Sequence, residues 1–527
     1  MQINQTIMST RKYVLSFAAL MVILTGLLNA QDPIESITKA EIRDHIFFLA
    51  SDYMNGRVGP SAEYEIAAQY VAAQFAGAGL KPAIKREEGN MDYFQGVPFI
   101  KITYSDDIKW KLLKEGKEIP LQHKEDFRII FGNKLTHNKE ELVWVGYGIE
   151  EPDHNWNDFE KLDVKGKIIV CIGGAPTRNG EPVLPEEVHN EYSGLLGSQM
   201  KVSALFRKGA EGIIFADLHG STGMPFEMIP SEFSTEKYIY SGSEDYNRSE
   251  SIPSIYFVRP EFIELLMEGN EYNPMNDPGN ILDNYKPQDL EGVYLDSEVE
   301  ILNEELISTK NVAGIVEGTD PELRNEFIVV GAHLDHVKPL NGQVCNGADD
   351  NASGSAGVIE IAEAIAMNPC KRSVLFITYT AEEMGLIGSR HFVASMVFPT
   401  EQLKFNLNMD MIGRSDAKNA ESRAHYVLTD KKFVKGIEKF ITDLNDGVTD
   451  FPLIFDDQED LPGGSDHQSF IDAGIPAFFF FSGMHEDLHQ PGDDPEKIDY
   501  AKAESICRLG YLITTTLANM DVLPSFE

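Results

Sequence analysis

The chain has 527 residues, 42% of them hydrophobic and 24% charged, the balance of a globular, core-forming protein too long for one average domain. With 84 acidic against 45 basic residues, the formal net charge is −39. That excludes nucleic acid and anionic membrane surfaces as partners and otherwise serves solubility.

Taken in order, the chain opens with Arg11-Lys12, an apolar run from Tyr13 to Leu28, and a break at Leu28-Asn29-Ala30. This reads as a secretory signal over residues 1–30, and hence as export to a periplasmic or extracellular space. A membrane anchor needs about twenty apolar residues. The run is short of that, no cysteine follows it, and no later run is long enough, so the mature chain is expected to have no stable membrane span. The four cysteines, Cys171, Cys345, Cys370 and Cys507, are too few for a disulfide scaffold.

Thr38-Lys-Ala-Glu41 is a capping-box pattern leading into Ile42, Ile46 and Leu49 at helical spacing. A second helix is predicted from about Ser61 to Ala78, with Ile66, Tyr70, Val71 and Phe75 on its apolar face. From about Glu141 the character changes: strands are predicted at Leu142–Tyr147 and Lys167–Cys171, with a helix running into Gly209–Phe215. Residues 270–296, rich in Asn, Asp, Pro and Gly, read as a loop, after which Val299 to Val316 returns to strand. The expected division is therefore an N-terminal piece over 31–135, an inserted domain over 136–290, and a second piece of the main domain over 291–527.

That second piece carries the chemistry. Phe327-Ile-Val-Val-Gly-Ala-His333-Leu-Asp335-His336 is an apolar strand ending in His and Asp. Asn346-Gly-Ala-Asp349-Asp350-Asn351 then leads into a helix with Val358, Ile361, Ala362 and Ile365 on one face. Ser373–Ala381 ends in Glu382-Glu383, Phe405–Met409 ends in Asp410, and Pro476–Phe481 runs on to His485 and His489-Gln-Pro491-Gly-Asp493. In open α/β sheets the carboxyl ends of the strands are where ligands bind. Imidazoles and carboxylates gathered there suit a hard or borderline divalent ion without any cysteine.

These residues resemble the M28 family of di-zinc metallopeptidases, aminopeptidase type. The order His-x-Asp, Gly-Ala-Asp-Asp-Asn-Ala-Ser-Gly, Glu-Glu, Asn-Met-Asp and His-x-Pro-x-Asp is reproduced from about Val312 onward, and Asp52…Gly56-Arg57 with Gly79-Leu-Lys-Pro82 resembles the family's N-terminal end. The resemblance implies two Zn2+ per chain. Asp349 would bridge them, His333 and Asp410 would complete one site, and Glu383 and His489 the other. Glu382 would be the general base, kept ionised by the nearby dications, and Asp335 would orient the His333 ring. Shared ligation by a carboxylate, which imidazole cannot provide, agrees with metals about 3.5–4 Å apart. Adjacent glutamates on a strand end point to opposite sides, so one can ligate while the other reaches water.

His336 is read as supporting or exposed, His467 as no ligand, and Asp350 as fixing the turn. His489 is preferred over His485 because Pro-x-Asp follows it, although Leu488 stands where the family often has an aromatic residue. Met411, Phe470 and Phe481 are placed to line a side-chain pocket. The stretch from Leu142 to Phe215 resembles a protease-associated (PA) domain.

The implied fold is α/β, with a mixed, mostly parallel central sheet flanked by helices and an inserted β-rich PA domain. The implied activity is that of an exported zinc aminopeptidase acting on peptides with a free N-terminus. Three alternatives stand beside it. A carboxypeptidase of the same superfamily would need a basic clamp such as Arg390, Arg414 or Arg423. A glutaminyl cyclase shares the fold and similar ligands. A non-catalytic receptor-like protein would have lost ligands, and here all are present.

Overall fold

In the computed structural model the described residues are 32–526, apart from 133, 217, 219–225, 230–234, 243–252, 277–280, 341 and 458–463. The expected signal segment lies outside them. The chain divides into two compact units, one running to Gly96 and resuming at Thr309, the other Val97–Ser308.

The first unit opens with α1 (Lys39–Leu49), capped by Thr38, whose hydroxyl accepts from the Glu41 amide at 3.2 Å. The reciprocal half of the capping box is replaced: the Thr38 amide donates to Glu360 at 3.2 Å, and the Glu41 carboxylate meets the Thr38 hydroxyl instead. Ser61 caps α2 (Ala62–Gly77) through the Tyr64 amide. Ile66, expected on the apolar face of α2, is exposed; the buried stripe is Tyr64, Ala67, Ala68, Val71 and Phe75.

The sheet of this unit uses β1 (the end of Ile301–Val316), β2 (Phe327–His333), then α3 (Gly354–Met367), β3 (Ser373–Tyr379), α4 (Ile387–Ala394) and β4 (Leu403–Met409). It continues with β5 (His425–Thr429), α5 (Val434–Leu444), β6 (Leu453–Asp457), α6 (His467–Asp472), β7 (Ala477–Phe481) and α7 (Tyr500–Asn519). The spatial order is β1-β3-β2-β4-β7-β5-β6. β2 runs parallel to β3 and β4, β4 to β7, and β5 to β6, while β1 with β3 and β5 with β7 are antiparallel. The fold is therefore a mixed, mostly parallel α/β sheet. Every residue of β2 and β3 is buried, as expected when both faces of a parallel sheet are covered. α3 and α7 pack on each other and on β2, and α6 packs on β7. The carboxyl ends of β2, β3, β4 and β7 thus open at one edge.

The second unit has its own eight-stranded sheet, ordered 117–122, 109–114, 288–298, 137–144, 168–172, 212–216, 254–258 and 127–131. Its four strands from 137–144 to 254–258 are mutually parallel. In its core Trp110 stacks on Phe127 with centroids 3.9 Å apart, and Tyr256 meets Trp110 edge-on. The insert is therefore wider than 136–290. The hairpin 109–122 pairs with strand 288–298 and buries Trp110 and Leu112, so these residues belong to this unit's core rather than to the first. All four cysteines are unpaired and buried. Among the described residues no helix is long and apolar enough to cross a membrane.

Candidate metal centre

The edge built from four strand ends gathers the acids and imidazoles. His333 is the last residue of β2, Glu382 and Glu383 follow β3, Asp410 follows β4, and His489 lies beyond β7. Backbone geometry there is unusual for L-residues: Ala381, Met411 and His489 all have positive φ, 53°, 60° and 56°. Such conformations cost roughly 1–3 kcal/mol each and persist where surrounding structure fixes them, often at functional sites.

At the centre stands Asp350, not Asp349. The Asp350 carboxylate splits its two oxygens: Oδ1 is 3.2 Å from His333 Nε2, and Oδ2 is 3.0 Å from His489 Nε2. His333 Nε2 is also 3.3 Å from Asp410 Oδ1, and His489 Nε2 is 3.1 Å from Glu383 Oε2. The expectation that Asp349 joins the two sets is corrected by this arrangement. Asp349 is turned away and held by the Gly413 amide (2.6 Å) and the Ser353 hydroxyl (3.3 Å). Its other oxygen lies 3.4 Å from His485, which explains why His485 stands apart from the cluster and His489 within it. The peptide between Asp350 and Asn351 is cis.

Of the neighbouring placements, His336 takes one of its two expected forms, a supporting one, while Asp335 and the Glu382–Glu383 pair differ from expectation. His336 is wholly buried, with Nδ1 3.0 Å from Glu383 Oε1 and 3.6 Å from Asp350 Oδ2. Asp335 reaches His333 through its backbone: the ring Nδ1 is 3.1 Å from the Asp335 carbonyl oxygen, whereas the Asp335 carboxylate accepts from the Glu382 amide at 3.1 Å. Glu382 and Glu383 lie past the end of β3 in the turn before α4, so strand alternation does not set their directions. The ligating atoms of His333, Glu382 and Glu383 nonetheless fall within 4.8 Å of one another. His467 is buried and stacks on Phe479 at 4.4 Å. Sequence reading also missed the weight of Asp493, fully buried, whose carboxylate accepts the amides of Asp349 and Asp350 at 3.0–3.1 Å. Its position two residues after a proline carried only the family pattern.

The electrostatics identify what the cluster wants. Burial opposes charge on His489, but Glu383 and Asp350 push its pKa up to about 11. Burial and Asp350 work to raise Glu383, yet His489 and His336 bring it down to about 2. Burial likewise opposes charge on His333, and Asp410, Glu382 and Asp350 lift it well above the ordinary range. Carboxylates in excess therefore draw positive charge onto neighbouring imidazoles, as a divalent ion would supply it. The donor set, imidazole nitrogen and carboxylate oxygen, suits zinc. Two ligands of a tetrahedral ion with bonds of about 2.0 Å lie roughly 3.3 Å apart, and the nitrogen–oxygen separations of 3.0–3.3 Å match that. The residues fit the metal.

Comparison with known proteins places this unit. Residues 311–512 match Peptidase family M28. Aminopeptidase YwaD of Bacillus subtilis (strain 168) is 30% identical over 220 residues, 40% of this chain and 44% of that protein. Leucine aminopeptidase 1 of Ajellomyces dermatitidis is 31% identical over 202 residues, 35% of this chain and 51% of that protein. The chain thus spans about half or less of these curated relatives. Among solved structures, an aminopeptidase from Aneurinibacillus sp. strain AM-1 matches with TM-score 0.52 and 19% identity, covering 94% of this chain and 97% of that one. BSAP, a zinc aminopeptidase from Bacillus subtilis, matches with TM-score 0.52 and 18% identity over 93% and 97%; at these identities the likeness is one of fold. The sheet edge described above, with its imidazole–carboxylate cluster, thus lies in the stretch of the chain that matches the model of Peptidase family M28.

Proposed function

We propose that this chain removes N-terminal residues from peptides, using two zinc ions held around Asp350 and Glu382 as general base. The observation that carries the reading is the single buried carboxylate of Asp350 with one oxygen toward His333 and the other toward His489. One ion would be held by Asp350, His333 and Asp410, the other by Asp350, Glu383 and His489, with His336 bracing Glu383. Bound zinc supplies Lewis acidity toward the scissile carbonyl and lowers the pKa of water.

The protein supplies the rest. Burial lifts the Glu382 carboxyl well above the usual carboxylate range, opposed by His333 and aided by Glu383 and Asp466. A carboxylate of raised affinity for protons is suited to take one from the attacking water at its oxygen and return it to the leaving amine. The Asp335 carboxylate fixes the Glu382 backbone amide, which aims that side chain. His489, its side chain 45% exposed beside nearly buried partners, marks the face from which substrate arrives. The named relatives are aminopeptidases, one of them a zinc enzyme, which supports the same activity here. We read the apolar N-terminal run as an export signal and the inserted unit as PA-like.

Two of the three arginines that a carboxypeptidase could use as a clamp are held in ion pairs. Arg414 is paired with Asp487 at 2.8 Å, and Arg423 with Asp499 and Asp450 at 2.8 and 3.0 Å. The test is mass spectrometry of peptides incubated with the purified chain: one with a free N-terminus, its acetylated twin, and a Gln-initiated version. Stepwise loss from the free N-terminus alone, absent in Glu382→Ala, is expected. Trimming of both twins from the other end would establish a carboxypeptidase, loss of ammonia from the Gln peptide a cyclase, and no change at all would defeat the enzymatic reading.

A further inference from the structure

Behind the cluster lies a buried cation that the reading above leaves unused. Asn55, Gly56 and Arg57 form a turn with φ of 46°, 79° and 40°, the left-handed region that L side chains rarely adopt. The turn is threaded tightly: a Cβ on Gly56 would collide with the Val337 carbonyl oxygen, just past His336. From it the Arg57 side chain, with no solvent exposure, reaches five backbone carbonyls. Nε donates to Leu334 at 2.8 Å, Nη1 to Leu49 at 3.1 Å and Asn346 at 2.5 Å, and Nη2 to Gly347 at 2.7 Å and Asp350 at 3.4 Å.

The identity of those carbonyls gives the arrangement its meaning. Leu334 lies between His333 and Asp335, at the end of β2. Asn346, Gly347 and Asp350 belong to the loop that presents the Asp350 carboxylate, and Leu49 ends α1. One planar fork therefore spans the two segments that carry His333 and Asp350, which approach to 3.2 Å. A buried guanidinium bound only to neutral carbonyls is a demanding choice for simple packing. Burial brings its pKa down to about 10, while Asp350, Asp493, Asp335 and Glu383 act through space to keep it charged. Lysine, a point charge with three donors on a flexible stem, could not hold both segments in one plane.

Resting on the metallopeptidase reading, we propose that Arg57 is a positioning residue for the metal centre. It locks the β2 end to the 346–350 loop so that His333 and Asp350 face each other before an ion arrives, and its charge offsets repulsion among the carboxylates of the metal-free cluster.

The test uses the whole chain as wild type, R57K and R57Q, with R372K as control. Arg372 is also buried and bonded to backbone carbonyls of Leu517 and Met520, but it adjoins the opposite end of β3 from Glu382. Each protein is stripped of metal and titrated with zinc against a chromophoric chelator, and its metal-free melting temperature is recorded. The Arg57 variants are expected to lose about 10- to 100-fold in zinc affinity, the range for residues that support ligands. At saturating zinc kcat should fall with KM nearly unchanged. R372K should melt lower and bind zinc as wild type does. Lower melting of the Arg57 variants with wild-type zinc affinity and kcat would reduce Arg57 to a brace of the fold and overturn the proposal. Amide exchange on metal-free wild type, which needs no variant to fold, gives a second reading: protection across 346–351 is expected, and free exchange until zinc is added would overturn the proposal too. A wild-type chain that takes up no zinc would defeat the metallopeptidase reading itself, a result distinct from either.

Discussion

At the scale of the residue, two adjacent aspartates offer the same carboxylate to a reader of the sequence, and only the backbone between Gly347 and Ser353 decides which of them meets the imidazoles. The Gly413 amide and the Ser353 hydroxyl, one of them 64 residues away, claim Asp349 and leave Asp350 between His333 and His489. Nothing in a run of Gly-Ala-Asp-Asp-Asn reports those partners. His336 was equally hard to place, since burial against Glu383 depends on how the chain after β2 turns back. By contrast the gathering of His333, Glu383, Asp410 and His489 at one sheet edge was legible, because each stands at or beyond the end of an apolar strand and parallel strands bring such ends together. Glu382→Gln keeps the shape of the side chain and removes its ability to accept a proton. We expect kcat to fall about 10²- to 10⁴-fold, with zinc content by atomic emission equal to wild type. A loss of zinc along with activity would recast Glu382 as a ligand.

At the scale of the element, α3 is held unusually close to the sheet edge. A Cβ at Gly354 would strike the Met409 carbonyl oxygen and the Asn351 side chain, and Gly357 packs against Met409 and Cys507. Backbone carbonyls cannot move aside as a flexible side chain can. Gly354→Ala is therefore expected to destabilise by about 1–3 kcal/mol, the usual range for overfilling a packed site. Urea unfolding should show a lower midpoint at unchanged slope. Full stability in that variant would mean that α3 can slide without penalty. The helices α1, α2 and α3 were readable from caps and apolar spacing, but Ile66 shows the limit. The helical period around α2 admits it, and the packing of Ala67, Val71 and Phe75 turns that position outward.

At the scale of the whole molecule, the reach of the insert was the least legible feature. Strands 109–114 and 117–122 pair with each other before the change in character near Glu141, and strand 288–298, the other partner of 109–114, is more than 160 residues away. Only long-range pairing assigns them to the second unit. That unit also contains a group whose titration bears on stability. His137 is buried against Tyr256 at 2.7 Å, and burial, with Lys134 adding, pushes its pKa from 6.5 down to about 3. The native ring stays neutral across that window while the unfolded ring takes up a proton near 6.5. The unfolded state then binds more protons, so stability falls as pH falls, by up to about 1.4 kcal/mol per pH unit for this one group. His137→Gln should flatten the loss of stability between pH 6 and pH 4 by nearly that slope, read by denaturant unfolding at each pH. Identical pH dependence in both proteins would show that the ring is solvated in the native state.

If one carboxylate serves two ions, counting zinc in the intact chain will show it directly. Native mass spectrometry of wild type, Asp350→Asn and Asp349→Asn, each reconstituted with zinc and desalted, should give two ions for wild type and for Asp349→Asn. It should give one or none for Asp350→Asn. Two ions retained by Asp350→Asn, or their loss from Asp349→Asn instead, would contradict the centre described here.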